Sequence, residues 1–131
     1  MEDCIFCKII KNELPSKTIY EDDLIKIIMN INPSTNGHLL VLPKKHLVNI
    51  MDTPNEIITH SLDIIREIIY PLLKEKLNCE GLTIAENNEL GQEIKHFHIH
   101  LTPRYKDDCV DFSYDKEKLL SLDEIYNKLK K

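Results

Sequence analysis

Six consecutive residues, His96-Phe97-His98-Ile99-His100-Leu101, alternate polar and apolar without a break, and no other stretch limits the fold so tightly. On a β-strand successive side chains point to opposite faces. Three imidazoles therefore share one face, and Phe97, Ile99 and Leu101 share the other. Neighbouring histidines stand about 6.6 Å apart along such a strand. The apolar side demands a core, and the imidazole side demands a pocket or the open side of a sheet. Three readings stay open at this point. The strand is half-exposed and happens to carry histidines, or imidazoles at i and i+2 converge on one metal ion. In the third, one imidazole attacks phosphorus while its neighbours fix its tautomer and donate to phosphate.

The rest of the chain reads as a single α+β domain. Its 131 residues are one domain's worth, and a 42% hydrophobic content excludes a disordered chain. Seventeen basic against 22 acidic residues leave a net charge of −5, which excludes a protein that coats polyanions. No apolar run approaches the length of a membrane span. The opening Met1-Glu2-Asp3 is acidic where a signal peptide needs basic residues, so the expected location is the cytoplasm, with no nucleic-acid or membrane partner.

Asp3 is placed to cap a short helix over Cys4–Lys11. Thr18–Tyr20 and Leu24–Asn30 read as paired strands around a turn at residues 21–23, and His38–Leu42 as a strand stopped by Pro43. Thr53-Pro54-Asn55-Glu56 forms a capping-box pattern ahead of a long helix, with one face marked by Ile58, Leu62, Ile65 and Ile69. Pro71 should kink or restart that helix. Gly81–Glu86 and Ile94–Thr102 are strand candidates, and Leu122–Lys130 is a possible short helix in a charged tail. The expected architecture is an antiparallel sheet of about five strands, one long helix and a short N-terminal helix.

Cys4 and Cys7 form Cys-x-x-Cys, while Cys79 and Cys109 stand alone and read as structural or incidental. In a reducing compartment such a pair is a metal site, a redox dithiol or two unligated thiols. A closed tetrahedral zinc site needs two further ligands.

Around the histidine row lie Gly91-Gln92 upstream, Pro103-Arg104 downstream, and earlier Asn32-Pro33, Gly37-His38-Leu39-Leu40-Val41-Leu42-Pro43-Lys44 and His46. Together with Cys4-Ile5-Phe6-Cys7-Lys8-Ile9-Ile10, this combination resembles the histidine-triad (HIT) superfamily over about residues 4–105. The resemblance implies a HIT-like catalytic domain over residues 1–105, followed by a charged tail over residues 106–131. It also implies a homodimer that binds a purine nucleotide and cleaves its α-phosphate bond. In that pattern His98 is the nucleophile, and a backbone carbonyl or similar acceptor keeps its other ring nitrogen protonated. His100 contacts the α-phosphate and, when protonated, helps the leaving group. Gly91, Gln92 and Glu93 fall on the phosphate loop, Asn30 on the ribose position, and Phe6, Ile9, Ile28 and Ile31, with Ile5, on the base-binding wall. Cys4 and Cys7 with His46 and His96 look like the zinc-containing branch, which implies a structural zinc and assigns His96 to metal rather than chemistry.

Several positions depart from the pattern. Thr102 replaces an apolar residue, Glu93 stands where some branches carry a serine donor, and Asn30 stands where many carry an aspartate. Asn87 or Asn88 is the available loop asparagine. The implied substrates are nucleoside phosphoramidates or dinucleoside polyphosphates. The competing readings are a nucleotide-binding module with vestigial catalysis, and a metalloenzyme using all three histidines. Elsewhere, His38 reads equally as a family position or a core histidine, His60 as a solvated surface residue, and Lys44-Lys45 as a phosphate lure or a strand end.

Overall fold

The computed structural model describes residues 3–111, 113 and 115–131. The opening pair Met1-Glu2 and two positions of the tail, Phe112 and Tyr114, lie outside the described residues. In order the elements are α1 (Ile5–Ile10), β1 (Thr18–Glu21), β2 (Ile25–Met29), β3 (Leu39–Pro43), a 3₁₀ turn (Ile50–Asp52) and α2 (Asn55–Ile64). A π-helical turn (Ile65–Ile69) leads into α3 (Tyr70–Leu77), followed by β4 (Gly81–Glu86), β5 (Ile99–Arg104), a 3₁₀ turn (Lys116–Lys118) and α4 (Leu122–Leu129). The five strands make one antiparallel sheet in the order β1-β2-β3-β5-β4, so the fold is α+β as the sequence predicts.

Strand alternation divides the apolar residues between two faces of this sheet. Ile25, Ile27, Leu39, Val41, Ile99 and Leu101 point one way and meet Ile57, Ile64, Ile65, Ile69 and Leu73 in the main core. Ile28, Leu40 and Leu42 point the other way, where α1 covers them through Phe6 and Ile9, with Ile94 packed beside it. A six-residue helix cannot roof a five-stranded sheet. The uncovered remainder of that face becomes a cavity, and the imidazoles of His98 and His100 belong to it.

Lys26 also points to the α1 side, where its ammonium is almost completely buried, 2% exposed. It donates to the Ile9 carbonyl at 3.2 Å and to Asn12 Oδ1 at 3.3 Å, tying the C-terminal end of α1 to β2. A cation suits that position because the last carbonyls of a helix are unsatisfied and carry the negative end of its dipole.

Three sequence expectations change. The expected capping box does not form, because Thr53 Oγ1 donates to the Asn49 carbonyl at 2.7 Å and Pro54 caps α2 without a side-chain bond. The reciprocal box lies four residues earlier, between Asn49 and Asp52. The N-cap of α1 is Cys4, whose sulfur accepts the Cys7 N–H at 3.3 Å, and not Asp3. The predicted helix stripe, which Ile57, Ile64 and Ile68 widen, holds at Ile57, Ile64, Ile65 and Ile69 but not throughout: Ser61 is inside, donating to the Ile57 carbonyl, while Leu62 and Ile68 are over a third exposed. Pro71 restarts the helix, as the sequence predicts, standing in the first turn of α3. Tyr70 N–H bonds the Ile65 carbonyl five residues back, and the widened turn lets the helix run through Pro71 with Ile69 and Leu73 still in the core.

The predicted strand at residues 94–102 begins only at Ile99. Pairing with β3 stops at Val41–Ile99 for a local reason. Pro43 has no N–H to offer, its carbonyl accepts from His96 Nε2 at 2.9 Å, and Phe97 N–H turns instead to the Leu47 carbonyl. The alternation of faces nevertheless survives the break, since Phe97 joins the main core with Ile99 and Leu101.

Candidate functional site

His96 is fully buried and faces away from Phe97, toward α1. Because a carbonyl only accepts, the bond to Pro43 puts the His96 proton on Nε2 and leaves a lone pair on Nδ1. That Nδ1 lies 3.2 Å from His46 Nδ1, 3.4 Å from Cys4 Sγ and 3.6 Å from Cys7 Sγ, and Cys7 Sγ lies 3.1 Å from His46 Nδ1. Tetrahedral zinc at ordinary bond lengths spaces its ligand atoms about 3.3–3.8 Å apart, so these four residues fit a single ion. Without a cation the cluster is poorly charged. Burial and the neighbouring Cys4 thiol push the Cys7 thiol up to about 11, and burial takes His96 down to about 4. A bound cation inverts both preferences.

One strand period further on, His98 Nδ1 lies 2.8 Å from the His96 carbonyl. The carbonyl fixes the proton on Nδ1, so Nε2 carries the free lone pair. The neighbouring imidazoles form a second chain of fixed polarity. Ser34 N–H donates to His38 Nδ1 at 3.0 Å, which places the His38 proton on Nε2, 3.0 Å from His100 Nδ1. His100 Nδ1 must then accept, and its own proton sits on Nε2. Burial, with the His98 and His38 rings beside it, lowers the His100 pKa to about 4, and burial lowers that of His38. In the free site His100 is thus a neutral N–H donor.

These rings open onto a cavity of about 730 Å³, large enough for a nucleotide. Phe6, Ile9, Ile28, Ile31, Asn30, Gly91, Glu93, His98 and His100 all line it. Gln92 does not. Its side chain is buried behind the loop, donating to the Val48 carbonyl and accepting Glu89 N–H, so it braces the loop from outside. Asn30 Oδ1 accepts Asn32 N–H at 2.9 Å, and its amide nitrogen lies 3.4 Å from His38 Nε2. Of the two loop asparagines Asn87 lines the cavity, while Asn88 bridges Glu86 and Ile50 N–H. Gly91 adopts φ +96°, a conformation that L side chains rarely reach.

His38 is the cavity residue whose part the sequence left undecided. The signal lies in the register: Leu40 pairs with His100, so two residues back along β3 His38 meets the same face. Gly37 makes the approach possible, with φ +89° and a would-be Cβ only 2.5 Å from Leu77 Cδ1. Three other residues play structural parts. His60 is no solvated bystander, since its Nε2 lies 2.6 Å from Asp22 Oδ2, which also accepts from Tyr20. Lys44 pairs with Glu21 at 2.9 Å. Arg104 is held by both Asp108 oxygens, by Thr83 and by the Val110 carbonyl.

The HIT domain matches residues 11–107. An uncharacterised HIT-like protein of Methanocaldococcus jannaschii is 36% identical over 129 residues, covering 97% of this chain and 98% of its own. An adenylylsulfatase of Arabidopsis thaliana is 36% identical over 82% of this chain and 55% of its own, and an adenosine 5'-monophosphoramidase of Saccharomyces cerevisiae is 34% identical over 77% and 62%. Among solved structures, SMU.412c of Streptococcus mutans superposes with a TM-score of 0.84 at 32% identity, covering 98% of this chain and 82% of its own. A zinc-bound histidine triad family protein of Mycobacterium smegmatis gives 0.79 at 35%, over 88% and 84%.

Proposed function

The chain belongs to the HIT domain family, and from that premise we propose that it cleaves the α-phosphate bond of nucleoside phosphoramidates or dinucleoside polyphosphates through a nucleotidyl intermediate on His98. The observation that carries this reading is the bond from His98 Nδ1 to the His96 carbonyl. It holds the ring in the one neutral tautomer whose Nε2 can attack. The Nε2–phosphorus bond forms as the bond to the leaving group breaks, the departing amine takes a proton from solvent, and the His96 carbonyl steadies the positive ring that results. His100, neutral and oriented by His38, donates its Nε2 proton to an α-phosphate oxygen, which stabilises the charge that builds there. Water then attacks phosphorus, the bond to His98 breaks, a proton goes to solvent and the nucleoside monophosphate leaves. Phe6, Ile9, Ile28 and Ile31 take the base, a purine on this reading, and Asn30 the ribose. Gly91, Glu93 and the bracing Gln92 form the phosphate loop.

Cys4, Cys7, His46 and His96 would hold a structural zinc, which with four protein ligands supplies a cross-link between α1 and the segments after β3 and before β5. Residues 1–105 form the catalytic unit and residues 106–131 an appendage, and the four free cysteines suit a cytoplasmic location. Among the described residues no helix is long and apolar enough to cross a membrane. The working form is a homodimer. β4 is an edge strand with Ile84 49% exposed, and an open edge carrying apolar residues favours a covering partner. Sedimentation should give twice the 15.3 kDa chain mass, and a monomer at micromolar concentration rejects the dimer.

Rapid quenching with an adenosine phosphoramidate labelled at phosphorus tests the chemistry. The protein should retain acid-labile label, while His98→Asn should retain none and lose turnover by at least about a thousandfold, with nucleotide affinity within about tenfold. A variant that still turns over at near the original rate removes the covalent mechanism. A parent protein that binds nucleotide and hydrolyses nothing is a binding module.

A further inference from the structure

Glu93 is the only carboxylate or cation among the described residues that line the cavity, and no lysine or arginine joins it there. A pocket for anionic substrates ordinarily collects positive charge, because phosphate groups bind through charge-assisted hydrogen bonds. Here both arginines are committed elsewhere, Arg104 to Asp108 and Arg66 to Asp63 on the helix. Lys44 is held by Glu21, and Lys95 donates to the Glu89 carbonyl. Among the described residues no ion pair or hydrogen bond engages the Glu93 side chain, which is exposed at the cavity wall between Gly91 and Ile94. His100, held neutral, adds no compensating charge. One acidic side chain, with no lysine or arginine beside it, therefore stands on the wall of the cavity that His98 and His100 share.

Resting on the catalytic reading above, we propose that Glu93 is a specificity-determining residue that selects the leaving group by charge, favouring cationic amines and disfavouring sulfate, phosphate and polyphosphate. A base-binding wall that is apolar and neutral cannot tell these groups apart, since they lie beyond the α-phosphate. A carboxylate can, because like charges repel and opposite charges attract at distances shorter than the screening length of the solvent. A phosphoramidate bearing an ammonium on a short alkyl arm gives Glu93 a partner. A sulfate or polyphosphate arm adds a second repulsion to that already imposed by the α-phosphate. Of the reactions named for the relatives, this places the chain nearer the phosphoramidase than the adenylylsulfatase.

The test compares three adenosine 5'-phosphoramidates that differ only in the end group of the amine arm (ammonium, methyl or carboxylate), with adenylyl sulfate as a fourth substrate. The quantity read is the ratio of kcat/KM for the ammonium arm to that for the carboxylate arm, in which any general effect of a variant on phosphate binding cancels. The parent protein should favour the ammonium arm at least tenfold. Glu93→Gln should shrink that ratio about tenfold, and Glu93→Lys should invert it and raise relative turnover of adenylyl sulfate. Raising the salt concentration should compress the parent's ratio and leave that of Glu93→Gln nearly unchanged. Ratios that agree within twofold between parent and Glu93→Gln overturn the assignment and leave the nucleotidyl-histidine chemistry standing. Failure of the parent to hydrolyse any of the four substrates removes both.

Discussion

At the scale of single residues, the site is a set of tautomers imposed by groups whose own polarity is fixed. A backbone N–H must donate and a backbone carbonyl must accept, so Ser34 orders His38 and then His100, and the His96 carbonyl orders His98. Keeping these rings neutral has a measurable consequence. His100 in the folded chain titrates near 4, below the roughly 6.5 of an unfolded histidine, and His38 is shifted the same way. Between those values the unfolded chain binds more protons than the folded one, so stability rises with pH from about 4 to 6.5 and is fully present above that window. Thermal melts across it should fall steeply with acid in the parent and less steeply in His100→Asn, which shares every other titrating group. Equal slopes would mean that His100 is not held neutral by the fold. Little of this was legible beforehand. The alternating row identified His98 and His100, but the part played by His38 depends on the register of β3 against β5, which no local pattern encodes.

Among the elements, α1 carries the most function for its size. It is only six residues long, too short to persist alone, and it is held in place from outside by Lys26 at one end and by the cysteine–histidine cluster at the other. Removing zinc should therefore lower the melting temperature by several degrees. A ligand at a hundred times its dissociation constant adds about 2.7 kcal/mol to the folded state. Cys4→Ser and Cys7→Ser should lose the metal, from about one ion per chain, and lose stability before turnover. Folded, metal-free protein that is inactive and regains activity in proportion to added zinc would instead establish a catalytic metal. The elements themselves were readable from the sequence where a strong period or a stop signal set them, as at β2, β3 and β4. They were misread where two local signals competed. Thr53 had the right spacing for a cap but found the Asn49 carbonyl first, and the strand leading to β5 lost five residues because Pro43 could not continue the ladder. The helix stripe held at Ile65 and Ile69 and erred at Leu62, because Ser61 satisfies its hydroxyl on the Ile57 carbonyl and can take the inward place.

Across the whole molecule, the sheet separates a helix-backed core from a lightly covered face, and that face holds both the metal cluster and the cavity. Their common boundary is Phe6, whose ring centre stands 5.8 Å from that of His96 and 5.1 Å from that of His98, edge to face in both pairs. A side chain that touches a metal ligand on one side and the proposed nucleophile on the other cannot be ordered by one without being ordered for the other. If zinc on one side of Phe6 and nucleotide on the other are coupled through it, thermodynamic reciprocity requires a single factor for both directions. Adenosine monophosphate should slow zinc transfer to a chromophoric chelator and tighten zinc binding several-fold. Zinc should tighten nucleotide binding by the same factor, and Phe6→Ala should bring that factor toward one. Affinities that ignore each other would show the two sites to be merely adjacent. Where they are coupled, zinc supply and nucleotide occupancy report on one another through one phenyl ring.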